Sequence, residues 1–272
     1  MNLFLDMFSY TFINYALIAG SLIAVCSALL GVPLVLKRYS MIGDGLSHVA
    51  FGSMAIAMAL NASPLMISIP ITVLSAFLLL RVSSNSNIKG DSSVALISTS
   101  SMALGILITS MTSGLNTDVT SFLFGSILSI AKTDVIISII LAVVVVGFFV
   151  FFYNRIFGIT FDENFSNATG TKVSLYNSLI AVLTALTVVI GMRLMGAMMI
   201  SSLIIFPSLS AMRIFKSYKG VTLCAVFVSI ICFFIGIVLS FIVSSPAGAT
   251  IVIINLVIFI IFSLFEKLKC IF

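Results

Sequence analysis

Apolar residues run along this chain in long unbroken blocks, and polar residues collect in the short gaps between them. The stretch 134–153 opens on Asp134 and then holds almost nothing but Ile, Val, Leu, Ala and Phe. A half-buried strand would alternate, and so would the strands of a membrane barrel. A continuous block of this length is instead a helix with apolar surroundings on every side. About 20 such residues cross about 30 Å of hydrocarbon. By that measure, spans are predicted at about 12–36, 41–60, 64–82, 92–113, 134–153, 174–195, 196–215, 219–243 and 247–265. The second is marginal, because it holds Asp44 and His48. Only Arg193 and Gly196 interrupt the sixth and seventh, so a tight turn is required there. The pattern predicts an all-α polytopic bundle of about nine spans, or eight with a re-entrant piece, as one transmembrane domain over 1–272. A short interfacial helix is expected at 121–130.

Composition sharpens this picture. Hydrophobic residues make up 61% of the 272 positions and charged residues 8%, against about 25% charged in a soluble domain. An apolar exterior of that size is stable only against lipid, where every backbone group must be satisfied within its own segment. The net charge of +5 does not point to nucleic acid, since Lys and Arg sit singly between apolar runs. In a membrane protein they set orientation. Of the 13 Lys and Arg residues, all but Lys132 and Arg193 fall on one side of a nine-span bundle. That side is expected to be cytoplasmic, which leaves the N-terminus outside and the C-terminus inside. The N-terminus lacks a basic n-region, so the first apolar run is expected to stay as a helix. Cys26, Cys224 and Cys232 lie within apolar runs, and the fourth cysteine is Cys270; no Cys-x-x-Cys spacing suggests a disulfide framework or a zinc knuckle.

Two stretches depart from plain hydrophobicity. The first is Ser40-Met-Ile-Gly-Asp-Gly-Leu-Ser-His48. Asp44 and His48 are four apart and share a helix face. His48 is the sole histidine of the chain. Ionisable groups inside a span cost about 3 kcal/mol or more and usually line an ion path. A carboxylate and an imidazole together form half of a first-row metal site. Gly43 and Gly45 beside them leave room for a neighbouring helix or a ligand. The other reading is a structural Asp–His hydrogen bond that fixes helix packing, and spacing alone leaves both open.

The second stretch runs from Gly158 to Gly170 and is the most polar in the chain. Thr160, followed three residues later by Glu163, has the form of a capping box, with Asp162 also in the first turn. Gly170 is placed to end the helix in a left-handed cap. The prediction is a two-turn cytoplasmic helix with Phe161, Phe165 and Ala168 on one face. Such a face fits a groove on a partner; the other reading lays the phenylalanines on the membrane surface. Asn167-Ala-Thr169 matches a glycosylation triplet, which carries no meaning on the cytoplasmic side.

Missing motifs narrow the function further. There is no G-x-x-x-x-G-K-[ST], so the chain has no P-loop for nucleotide, and H-E-x-x-H is impossible with a single histidine. A serine hydrolase would need His48 paired with a serine, and its neighbour Ser47 points elsewhere on a helix.

These stretches also carry a family likeness. Lys37-Arg-Tyr-Ser-Met-Ile-Gly-Asp-Gly-Leu-Ser-His-Val-Ala50 resembles the signature of the membrane subunits of bacterial zinc, manganese and iron ABC importers. Asp118-Val-Thr-Ser-Phe-Leu-Phe-Gly-Ser-Ile-Leu128 is similar to the family's loop before its fifth span, and 161–170 to its cytoplasmic coupling segment. Met195-Gly-Ala-Met-Met-Ile-Ser-Ser-Leu-Ile-Ile-Phe-Pro207 and Ser245-Pro-Ala-Gly-Ala-Thr250 resemble its two late motifs. The resemblance implies a non-catalytic permease in the bacterial cytoplasmic membrane, without a cofactor of its own, that works as a homodimer. Two ATP-hydrolysing subunits and an extracellular metal-binding protein would serve it. Asp44 and His48 would be metal ligands along the path. Thr160, Phe161, Asp162, Glu163, Phe165 and Ala168 would seat in the ATPase. Any charged outer gate would rest on Asp118, Lys132, Asp134 and Arg193. The rival class is a self-contained channel or proton-coupled metal carrier using the same Asp–His pair; a purely structural anchor would leave that pair unexplained.

Overall fold

The computed structural model describes residues 11–85, 90–112, 125 and 130–271. Among them every regular element is an α-helix: α1 (Thr11–Leu36), α2 (Ser40–Ala59), α3 (Pro64–Asn85), α4 (Gly90–Met111), α5 (Lys132–Phe161), α6 (Glu163–Ala168), α7 (Val173–Met195), α8 (Ala197–Ile214), α9 (Tyr218–Val243) and α10 (Ala247–Ile271). Eight of these are long and apolar enough to cross a membrane by length and composition alone. The exceptions are α2 and the six-residue α6. At about 1.5 Å per residue, the 20 residues of α2 still reach about 30 Å. The nine long helices match the nine predicted spans. The interfacial helix expected at 121–130 falls outside the described residues, apart from Gly125 and Ile130.

Two helices form the centre. α1 touches α2, α5, α7, α8 and α9, and α2 touches α1, α3, α4, α7 and α8. Burial of α1 rests on small residues: Ala16, Ala19, Gly20, Ala24, Ser27, Ala28 and Gly31 are all buried. Without a hydrophobic drive between helices in lipid, such residues permit the close contacts that hold spans together. A Cβ placed on Gly31 would lie 2.1 Å from the Ile204 carbonyl oxygen of α8, and one on Gly52 of α2 would lie 2.6 Å from the Ser101 carbonyl of α4. The periphery is the reverse. Leu96, Leu104, Val143, Phe151 and Ile253 are all more than half exposed, which is the surface a lipid-facing exterior requires. Because α2 is surrounded by protein, it needs less hydropathy than its neighbours and tolerates Asp44 and His48.

The required tight turn is present. Gly196, at φ +89°, separates α7 from α8 and donates its N–H to Met192 O at 2.8 Å. Gly191 then packs on Ile200, so the two helices fold back on each other as a hairpin.

One boundary differs from expectation. The apolar run ends near Tyr153, yet α5 continues to Phe161, with non-helical angles at Phe152 marking a kink. The extension persists because Ile156 and Ile159 are fully buried, the latter against Val173 and Tyr176 of α7. Arg155 donates to the Tyr176 hydroxyl and lies over the Phe152 and Tyr176 rings.

The close approach of α1 to α8 is testable. Gly31→Ala forces a methyl into the Ile204 carbonyl and should lower stability by about 1–3 kcal/mol. Gly147→Ala, where nothing lies within 4 Å, should raise it by about 0.5–1 kcal/mol through helix propensity. Thermal unfolding of the purified protein in detergent reads both. An unchanged midpoint for Gly31→Ala would contradict this packing.

Candidate metal path and coupling helix

The chain enters α2 through a turn of fixed shape. Arg38 is left-handed at φ +61°. Its N–H donates to Val35 O and that of Tyr39 to Leu34 O, which together close α1 in a Schellman pattern. Asp44 stands one turn into α2. Gly43 faces Ile204 of α8 and Gly45 faces Val94 of α4, so both glycines serve the approach of neighbouring helices. Asp44 and His48 lie on the face between those two contacts and are only partly covered: their side chains are 38% and 21% exposed.

Asp44 Oδ2 and His48 Nε2 are 3.7 Å apart. That is too long for a hydrogen bond, which counts against a purely structural Asp–His link. Two ligands of one tetrahedral zinc, each about 2.1 Å from the metal, lie about 3.4 Å from each other. The other ring nitrogen, Nδ1, is buried without a hydrogen-bond partner. Among the described residues no third His, Cys, Asp or Glu joins the pair. Ser47 turns away from His48. Its hydroxyl bonds Asp44 O at 2.7 Å and meets the Ser201 hydroxyl of α8 at 3.1 Å, which rules it out as a partner for His48. In the sequence Ser201 shows only as part of the Met195–Pro207 motif, with no signal for this cross-helix bond.

At the end of the bundle that holds Lys37, α6 forms the predicted short helix, with a different cap. Asp162, in an extended conformation at φ −149°, is the N-cap, and its carboxylate accepts from the Phe165 N–H at 2.9 Å. Thr160 is not a cap: it belongs to α5, and its hydroxyl donates to Ile156 O at 2.6 Å. Phe161 is likewise the last residue of α5. It rests on Phe157 and Tyr218 and does not share a helix face with Phe165 and Ala168. The C-terminal end follows the expectation: Gly170 is left-handed at φ +83°, and the N–H groups of Gly170 and Thr171 return to Asn167 O and Ser166 O. Phe165 is 65% exposed and Ala168 is exposed, so α6 presents an uncovered apolar surface.

Glu163 points back into the bundle. Its Oε1 accepts from Lys37 Nζ at 2.8 Å and from Asn177 Nδ2 at 3.1 Å. Burial alone would raise the Glu163 pKa, but these two hydrogen bonds and the Lys37 charge outweigh it and hold the carboxyl below its usual range. Burial draws the Lys37 pKa down, and the Glu163 contact restores only part of it. In the sequence Lys37 stands out as an orienting charge and as the first residue of the Lys37–Ala50 signature, and nothing there signals its pairing with Glu163, 126 residues away.

Of the four proposed gate residues, the structure brings two together. Asp134, which is buried, lies 3.5 Å from Arg193 and also accepts from the Ala131 N–H at 3.0 Å. Lys132 is exposed at the start of α5. Asp118 falls outside the described residues.

Comparison with known proteins places this geometry. The model of the ABC 3 transport family matches residues 9–266. The high-affinity zinc uptake system membrane protein ZnuB of Haemophilus influenzae is 27% identical over 93% of this chain and 96% of its own. The manganese transport system membrane protein MntC of Halalkalibacterium halodurans is 27% identical over 93% of this chain and 87% of its own. PsaBC from Streptococcus pneumoniae, solved in complex with Fab, superposes at a TM-score of 0.86 with 25% identity, covering 98% of this chain and 99% of that one. The agreement spans the bundle from α1 to α10, and this chain belongs to the ABC 3 transport family.

Proposed function

We propose that this chain is the permease subunit of an ATP-driven importer that carries a divalent transition metal, zinc, manganese or iron, across the bacterial cytoplasmic membrane. The observation that carries the reading is the Asp44–His48 pair, one turn apart on the partly open face of a helix enclosed by five others. Nothing else in the described spans places a carboxylate beside an imidazole at ligand spacing. Zinc and manganese relatives both support a metal cargo, and the oxygen–nitrogen donor pair suits either. Elemental analysis of the purified complex identifies which one is carried.

The mechanism is alternating access. An extracellular binding protein delivers the cation, and Asp44 and His48 replace part of its water. Two ligands leave most of the shell open, so water and the same pair from a second copy of the chain complete it in a homodimer. Asp134 and Arg193 close the outer side as an ion pair, with Lys132 and Asp118 nearby in sequence. The sequence holds no P-loop, so energy enters through two ATPase subunits seated on α6. Closure of the ATPases moves α6, and the bundle reopens to the cytoplasm. No covalent chemistry takes place in this chain.

Reconstitution in proteoliposomes tests the reading. Uptake of labelled zinc or manganese should require the ATPase, ATP and the binding protein. Asp44→Asn and His48→Ala should each reduce it to background while membrane insertion and subunit assembly persist. Uptake by the permease alone without ATP would replace this reading with a self-contained carrier, and normal uptake in both variants would make the pair structural.

The exposed face of α6 yields a second expectation. Phe165→Ala removes an aromatic anchor of about 2 kcal/mol, roughly a thirtyfold loss of ATPase affinity. Asp162→Ala, which deletes the cap, should act in the same direction at about 1 kcal/mol. Copurification of the ATPase with each variant measures both, and full retention by Phe165→Ala would remove α6 as the docking element.

Orientation is tested by labelling. In a background with the native cysteines replaced, a cysteine at Asn61 should react with an impermeant thiol reagent added to cells, and one at Asn167 should not. The reverse pattern would invert the bundle and put the N-terminus inside.

A further inference from the structure

Three polar groups close a triangle at the end of the bundle that carries α6. Lys37 Nζ lies 2.8 Å from Glu163 Oε1 and 2.6 Å from Asn177 Oδ1, while Asn177 Nδ2 donates to the same glutamate oxygen at 3.1 Å. The Lys37 side chain is only 9% exposed. Glu163 belongs to α6 and Asn177 to α7, which the chain already joins through the 169–172 turn. Lys37 belongs to neither. It caps α1 and lies seven residues before Asp44. Its ion pair is a charged link from α6 to the turn that opens α2.

That turn has a fixed shape. Arg38 occupies the left-handed region without being glycine, a conformation that costs about 1 kcal/mol or more and persists only where its surroundings fix it. Its N–H and that of Tyr39 are both held by α1 carbonyls, at 3.0 and 2.8 Å. The turn is thus held to the end of α1 and leads directly into Ser40 and the first turn of α2. A cavity of about 560 Å³, lined by Tyr39, Arg81, Glu163, Asn167 and Asn177, lies beside the triangle. The short helix is otherwise free of rigid packing, since Ser166 is its one buried residue.

We propose that Lys37 is the positioning residue that carries movement of the ATPase-facing helix α6 to the metal-ligand helix α2, through its ion pair with Glu163. This rests on the reading of the chain as an ATP-driven permease. The conserved quantity to measure is metal transported per ATP hydrolysed, in the full complex with its ATPase and binding protein. Lys37→Met should leave ATPase copurification, ATP hydrolysis and metal binding at Asp44 and His48 in place, while metal moved per ATP falls about tenfold, the scale of a lost charge-assisted hydrogen bond. Glu163→Gln, at a half-exposed position that keeps the shape of the side chain, should uncouple in the same direction to a smaller degree, and it serves as the test if Lys37→Met fails to assemble. The exchange Lys37→Glu with Glu163→Lys should recover coupling that Lys37→Glu alone loses. Wild-type metal per ATP in both Lys37→Met and Glu163→Gln would overturn the inference, as would loss of transport that only mirrors loss of ATPase binding. A wild-type complex that takes up no metal with ATP would instead overturn the permease reading itself.

Discussion

In hydrocarbon, a polar group that finds no partner inside the protein has no water to fall back on, and the cost is several kcal/mol for each one. Most of this bundle is a response to that constraint. The backbone is helical throughout the described spans because a helix satisfies its own N–H and C=O groups. Hydroxyls within the spans fold back on their own helices: Thr109, Ser138, Thr184, Thr187 and Thr222 each donate to the carbonyl four residues earlier. Asn255 does the same through its amide. The buried carboxylate of Asp134 is answered by Arg193 and a backbone N–H. Against that background, Asp44 and His48 stand out as ionisable groups at ligand spacing without a hydrogen bond to each other.

The same constraint decides which helix carries them. A helix facing lipid must be apolar all round, as α5 is. α2 is walled by five other helices, and its glycines and serines bring α4 and α8 close enough to exclude lipid. Its lower hydropathy is a consequence of that position. The protein shelters a charged face by surrounding the helix, and leaves one side of it partly open.

The end of the bundle that holds α6 follows a different logic, because water is available there. α5 outlasts its apolar run by about two turns, stays helical through buried Ile156 and Ile159, and stops at extended Asp162. The cap on α6 and its Schellman closure hold six residues in a shape that would not persist alone. Phe165 is thereby displayed and Glu163 is turned inward to Lys37, so one face of a two-turn element is left uncovered and the other is tied to the bundle.

The fold class, the nine long helices, their order and the tight turn at Gly196 were legible in the sequence, because hydrocarbon thickness sets a length and a composition that each span must meet locally. The i,i+4 pairing of Asp44 and His48 and the left-handed stop at Gly170 were legible for the same reason: both are fixed within one or two turns. The capping box at Thr160 and Glu163 misled, although its spacing was correct, because α7 packs on α5 and keeps Thr160 helical, which moves the cap to Asp162. No local pattern marks Lys37 with Glu163, Asp134 with Arg193 or Ser47 with Ser201. Each pair joins residues brought together only when separate helices pack, so its geometry is a property of the tertiary structure.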